Sequence, residues 1–227
     1  MKPSSRMALP LLLAAVVGSA TLSAGEETGT WELKKGELLF IDDFSTSKVG
    51  GSWGCSSDEN YSYSYQDGMY VINVVTADSW RRVQSGKSFG DSIVEVEATP
   101  ISGSDDNVYG LMTGWMDWSN YCLFLISGDG YYRFLKREGG SWTRNDPWTK
   151  TDAINLGKTT NLIQVKRDGE TLSFFANGTH LADYADETFP EGNVGLMAGT
   201  TACGGGNVTI GFDNFSVWKI EGALEEA

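Results

Sequence analysis

Along this chain, apolar residues recur most often at every second position. Ile163 and Val165 alternate with Gln164 and Lys166, and Val94 and Val96 alternate with Glu95 and Glu97. A two-residue period puts successive side chains on opposite faces, so these segments read as strands with one dry and one wet face. After a polar lead-in, no long stretch holds the 3.6-residue apolar period of an amphipathic helix. Asp67-Gly68, Asp129-Gly130, Asp168-Gly169 and Asn177-Gly178 fall between β-branched and aromatic runs. Such pairs favour type I′ hairpin turns, because both central residues need positive φ. The pattern predicts strands over 37–44, 69–76, 92–98, 108–116, 120–127, 131–137, 161–167, 171–176, 180–184, 193–199 and 207–218. That spacing suits an all-β sandwich or barrel. In the last strand Val208, Ile210 and Phe212 share one face while Phe215 and Val217 are on the other phase, which predicts a bulge near Asp213-Asn214.

Two strands break the alternation. Tyr121, Cys122, Leu123, Phe124, Leu125 and Ile126 are apolar on both faces, and Met69, Tyr70, Val71 and Ile72 nearly so. In an antiparallel sandwich such strands need a second cover besides the facing sheet. Two covers stay open: the chain's own loops, such as 138–160, or a ligand groove.

The N-terminus reads differently. Lys2 and Arg6 precede an apolar run from Met7 to Val17, followed by the small residues Gly18, Ser19 and Ala20 and then Ser23 and Ala24. That order is a secretory signal peptide over 1–24, with a cut after Ala20 or Ala24. The remainder divides into a lead-in over 25–37, one β domain over 38–219 and a frayed tail over 220–227. The expected location is secreted, periplasmic or cell-surface, where disulfides persist.

With 41% apolar and 12% aromatic residues among 227, the chain can bury a sizeable core. Its 17 basic and 30 acidic residues give a net charge of −13. That charge repels phosphate backbones and anionic headgroups, so nucleic-acid partners and membrane insertion of the mature chain are not expected. His180 is the single histidine, and Cys55, Cys122 and Cys203 include no C-x-x-C, so multi-His and all-cysteine zinc sites are excluded.

The run Phe40-Ile41-Asp42-Asp43-Phe44, Trp53, Asp67-Gly68-Met69-Tyr70-Val71-Ile72, Tyr109-Gly110-Leu111, Asn120-Tyr121, Ile126-Ser127, Asn193-Val194-Gly195-Leu196 and Phe212-Asp213-Asn214-Phe215 resembles secreted domains of the concanavalin A-like lectin/glucanase superfamily. It is similar in particular to jelly-roll modules grouped with the 3-keto-disaccharide hydrolase domain family. The likeness runs from about Leu39 to Trp218. It implies a two-sheet antiparallel jelly roll with the first and last strands side by side, and carbohydrate as the ligand class. Where such modules often carry an Arg after the Tyr-Gly-Leu strand, this chain reads Met112-Thr113-Gly114-Trp115. Adjacent terminal strands would also bring Cys55 and Cys203 to one end of the sandwich as a disulfide, with Cys122 left as a buried thiol. Sugar-binding jelly rolls often hold a structural Ca2+ near these strands, with Asp42, Asp43 and Asp213 as its oxygen ligands here. No other cofactor is expected.

Retaining glycosidases need two carboxyl groups roughly 5–5.5 Å apart. Glu95 and Glu97 share one face at about 7 Å, but the neighbouring same-face positions are Ile93 and Thr99, so the acidic triplet of the family 16 glucanases is broken. The aromatic residues are the better lead. Trp80, Trp115, Trp118 and Trp142 lie in the middle third beside Arg81, Asp117 and Asn120. Flat rings stack on pyranose faces while polar neighbours bond the hydroxyls. The resulting expectation is a secreted, non-catalytic carbohydrate-binding module, with neutral or amino sugars favoured by the acidic surface. Its rivals are an extracellular glycoside hydrolase, or a 3-keto-disaccharide hydrolase-like enzyme, using Glu95 and Glu97, and a structural or adhesive surface protein.

Overall fold

The alternation becomes sixteen strands and no helix in the computed structural model, which describes residues 33–45 and 53–222. The expected signal peptide, most of the lead-in and the last five residues lie outside the described residues. The strands are β1 (Lys35–Asp42), β2 (Ser56–Ser57), β3 (Tyr61–Gln66), β4 (Met69–Val74), β5 (Trp80–Phe89), β6 (Ser92–Ser102), β7 (Asn107–Asp117) and β8 (Asn120–Ser127). They continue as β9 (Tyr131–Glu138), β10 (Ser141–Asn145), β11 (Thr149–Lys150), β12 (Asn161–Asp168), β13 (Thr171–Ala176), β14 (Thr179–Ala185), β15 (Gly192–Thr200) and β16 (Val208–Ile220). Every predicted strand is present. The pattern missed β2, β5, β10 and β11, whose sequences are mostly polar or basic, and also β3, although its Tyr61, Tyr63 and Tyr65 alternate with serines.

Nine strands form one sheet in the order β14-β13-β12-β6-β16-β4-β3-β2, with β1 also on β16. Seven form the other, β10-β9-β8-β7-β15-β5, with β11 on β9. All pairings are antiparallel, so the molecule is the expected two-sheet sandwich. The inner faces meet in one apolar core, where Phe124 of β8 stacks on Phe174 of β13 with centroids 4.3 Å apart. One buried carboxylate ties the layers together. Asp186 accepts from Arg167 of the nine-stranded sheet at 2.6 Å and pairs with Lys136 of the seven-stranded sheet at 2.9 Å.

Local features of the pattern are largely as read. Asp67-Gly68 and Asn177-Gly178 both have two positive φ values, 50° and 79° and 51° and 78°, as type I′ turns require. The other two dipeptides do not. Asp168 pairs with Thr171, so it ends its strand and leaves Gly169-Glu170 as the loop, with positive φ at the glycine alone. Asp129 belongs to a three-residue loop closed by the Gly130 amide donating to the Ser127 carbonyl at 3.0 Å. The bulge in β16 lies where the phase change put it, with the register shifting between Asp213 and Ser216 and Asn214 at φ 51°.

The disulfide expectation needs correction, because Cys55 and Cys203 are both exposed and free. The first and last strands are adjacent, but β1 pairs only with 215–220 of β16 while β4 occupies the same edge over 208–212. The chain therefore leaves β1 halfway along β16, not at its start. Cys203 sits in a loop closed by the Asn207 amide on the Val75 carbonyl, beyond the end of β4. Cys55 instead precedes β2, which lies outside β3, and the neighbouring Gly54 carbonyl accepts from the Tyr70 hydroxyl near the other end of β4. Cys122 is a buried thiol, as expected.

Candidate functional site

The strand apolar on both faces shows where a surface has been built. Cys122, Phe124 and Ile126 point into the sandwich core. Tyr121, Leu123 and Leu125 point outward and join Val108, Met112, Leu135 and Met197 in a second cluster on the outer face of the seven-stranded sheet. Part of its cover is the chain's own 138–160 segment, from which Trp148 reaches over it out of the loop between β10 and β11. Trp80, Trp115 and Trp148 lie over it, partly buried. Glycines keep this floor low: a Cβ at Gly195 would lie 2.8 Å from the Met112 methyl, and one at Gly199 2.6 Å from the Trp80 ring.

Around that floor the indoles form a connected set. Trp115 meets Trp118 edge-on with centroids 5.6 Å apart, Trp142 meets Tyr121 at 6.0 Å, and Trp80 meets Trp142 at 6.4 Å. Arg82 bridges the two ends, its guanidinium carbon 5.5 Å from the Trp118 ring centre and 5.1 Å from that of Tyr121. Arg137 lies 5.7 Å from the centre of Trp142. Both arginines donate to the Tyr121 hydroxyl, Arg137 at 3.5 Å and Arg82 closer. Trp118 is 51% exposed and Trp142 41%, so each offers a ring to a ligand while its neighbours hold it. Three buried polar atoms here, Trp115 Nε1, Arg82 Nε and Gln84 Oε1, have no hydrogen-bond partner among the described residues.

The four tryptophans singled out from the sequence therefore converge. The polar residues divide. Asp117 accepts from the Ser119 amide and the Asn120 side chain within the β7–β8 turn, and Asn120 Oδ1 accepts from the Gly139 amide, so both brace the hairpin that carries Trp118. Arg81 points the other way, over the Tyr61 ring at 4.1 Å, and does not reach the indoles. Arg82 and Arg137 were not singled out. The signal was present in the alternation Trp80, Arg82, Gln84 along one face of β5, but β5 had not been recognised as a strand.

Beside the same hairpin lies a cleft of about 650 Å³, lined by Met116, Asp117, Asn120, Phe189, Pro190 and Glu191 among others. Asp117 is already engaged by its turn.

Glu95 and Glu97 lie elsewhere, on the outer face of the nine-stranded sheet. Glu95 is 7% exposed and accepts from Lys35, Gln164, Ser216 and Trp218 at 2.7–3.0 Å. Burial works against its ionisation, yet these donors and the Lys35 charge outweigh it and hold the carboxyl below its ordinary range. Glu97 accepts from Asn214 at 3.1 Å. Asp42, Asp43 and Asp213 each cap a local turn, accepting from the amides of Phe44, Ser45 and Asn214. Among the described residues no group of three or more His, Cys, Asp or Glu side chains is placed to hold a metal ion.

No family model matches the sequence, and no curated protein sequence matches it. Solved structures do. A carbohydrate binding module, CBM66, from Bacillus subtilis superposes with a TM-score of 0.57 and 20% identity, over 74% of this chain and 96% of that one. A GlcNAc[alpha]1-4Gal-releasing endo-β-galactosidase from Clostridium perfringens has a TM-score of 0.62 and 14% identity, over 86% and 66%. The Bacillus licheniformis β-glucanase has a TM-score of 0.57 and 13% identity, over 81% and 99%. At these identities the likeness is one of fold. The chain has the concanavalin A-like jelly-roll fold, an architecture shared by carbohydrate-binding modules and glycoside hydrolases.

Proposed function

We propose that this protein is an extracytoplasmic, non-catalytic carbohydrate-binding module whose ligand lies on the outer face of the seven-stranded sheet. One observation carries the reading: Trp115, Trp118, Trp142 and Trp80 form a partly exposed aromatic surface around the buried Tyr121, its two groups of rings bridged by Arg82, and no carboxyl group projects from the middle of that sheet. Stacking needs flat rings, and orientation needs a few directed donors, which Arg82 and Arg137 supply. A glycosidase needs a facing carboxylate pair. The Glu95–Glu97 face lies on the other sheet, and Glu95 is held ionised by its own donors.

The fold neighbours include both binding modules and hydrolases, so the test measures both properties. Purified protein is passed over a panel of insoluble polysaccharides, with retention and released reducing ends assayed together. Retention without release is expected, and Trp118→Ala and Trp142→Ala should each weaken it about tenfold or more at a nearly unchanged melting temperature. Reducing ends released by the wild type would make it a hydrolase, with Asp117 and Glu191 of the adjoining cleft the first carboxyls to replace. Retention on no polysaccharide would favour the structural or adhesive alternative.

A further inference from the structure

Charge is distributed unevenly between the two sheets. The strands of the seven-stranded sheet carry Arg81, Arg82, Lys87, Arg133, Lys136, Arg137, Arg144 and Lys150, eight of the chain's 17 basic residues. The same strands carry only Asp117 and Glu138, two of its 30 acidic residues. Glu138 is paired with Lys136, whose neighbour Cys122 points into the core, so it faces away from the indoles. Asp117 is at the hairpin tip.

Register places Arg82, Arg133 and Arg137 on the outward face, with Lys150 opposite the outward Tyr131. Among the described residues none of the four makes an ion pair, although the protein as a whole has acid to spare. Arg82 and Arg137 converge on one phenol oxygen. Burial lowers the pKa of Arg82, and the positive charge of Arg137 and Arg81 lowers it further, with only Tyr121 opposing. Two partly desolvated guanidiniums held side by side with no counter-charge are an anion site between two exposed tryptophans.

We infer that the ligand of this face is an acidic saccharide, with a carboxylate or sulfate ester seated between Arg82 and Arg137 while adjoining sugar rings stack on Trp118 and Trp142. The inference rests on the carbohydrate reading and narrows it. It departs from the expectation drawn from net charge. That sum describes the field far from the surface, whereas at physiological ionic strength charges more than about 8 Å apart are largely screened. At contact distance the local guanidiniums decide. The negative remainder of the surface then opposes indiscriminate attraction of polyanions, so binding would require the rings as well as the charge.

The test compares matched backbones that differ in charge: polygalacturonate against highly methyl-esterified pectin, and dextran sulfate against dextran. Affinity electrophoresis of the wild type, Arg82→Gln, Arg137→Gln and Trp118→Ala gives the affinities, and circular dichroism checks each fold. Retardation by at least one charged polymer and not by its neutral partner is expected, weakening with added salt. Arg137→Gln should reduce it about tenfold or more, with Arg82→Gln as the second variant should either prove unstable. Which charged polymer retards the protein distinguishes carboxylate from sulfate. Equal retardation by charged and neutral partners, unaffected by the arginine variants but lost in Trp118→Ala, would overturn the acidic-sugar inference and leave the carbohydrate reading standing. No retardation by any polymer, with none retained in the wider polysaccharide panel, would overturn both.

Discussion

Arg82 on β5 and Tyr121 on β8 are joined by a hydrogen bond that reaches across two intervening strands, β15 and β7. The guanidinium lies over the phenol ring as well, 5.1 Å from its centre. This contact ties an edge strand of the sheet to its middle and fixes the spacing between the Trp118 and Trp142 ends of the aromatic surface. The Tyr121 side chain is fully buried, so its hydroxyl serves to position the arginines and not to touch a ligand.

Tyr121→Phe keeps the ring and removes the shared acceptor. Leaving a buried guanidinium donor without its partner should cost about 1–3 kcal/mol, a fall in melting temperature of roughly 2–10 °C. Glycan retention should weaken with it, because Arg82 and Arg137 lose their common anchor. Wild-type values for both measurements would show that the hydroxyl anchors neither.

The inter-sheet carboxylate should dominate acid stability. Burial disfavours the charge on Asp186, but the hydrogen bonds and charges of Lys136 and Arg167 overcome that and lower its pKa. A depressed folded-state pKa contributes stability that is complete above the unfolded value of about 3.9 and is lost as pH falls through the lower folded value. Asp186→Asn should therefore destabilise the protein at pH 7 by about 3–5 kcal/mol and flatten the acid limb of a pH–stability curve. Chemical denaturation at several pH values measures both, and an unchanged acid limb would count against this assignment.

Glu95→Gln separates a structural carboxylate from a catalytic one. Its four donors and depressed pKa assign it to holding β1, β6, β12 and β16 together. The expected result is a lower melting temperature with glycan retention unchanged, since the aromatic face lies on the other sheet. Loss of a reducing-sugar release present in the wild type would instead place the residue in an active site.

The cysteines should differ sharply in reactivity without any reductant. Cys55 and Cys203 are exposed and should take up iodoacetamide in the native state. Cys122 should not, because burial first and the nearby Asp186 charge second push its thiol well above the usual range. Mass spectrometry of native and denatured samples should give two labels and then three. No native label, with one appearing on denaturation without reductant, would show that the exposed pair is bonded after all.

The sequence alone determined what is local. Period-two alternation, together with turn dipeptides and the continuous apolar runs of β4 and β8, marked eleven of the strands, and the phase change between Phe212 and Phe215 marked the bulge, because successive side chains of a pleated strand take opposite faces. The apolar character of both faces of β8 even announced that its outer side was covered. Polar strands such as β5 escaped because their side chains carry little apolar pattern while their backbones still complete the ladder. Only the tertiary structure decided what strand order decides. It set β5 three strands from β8, gathered Trp80, Trp115, Trp118 and Trp142 on one face with Arg82 and Arg137, and turned Arg81 away by a single step of alternation. It also separated Cys55 from Cys203 by dividing one edge of β16 between β1 and β4. Net charge is a sum without positions, so a chain with 30 acidic residues gave no sign that one sheet holds eight basic residues and two acidic ones. Placement of charge depends on non-local strand pairing, and that pairing is what the folded chain supplies.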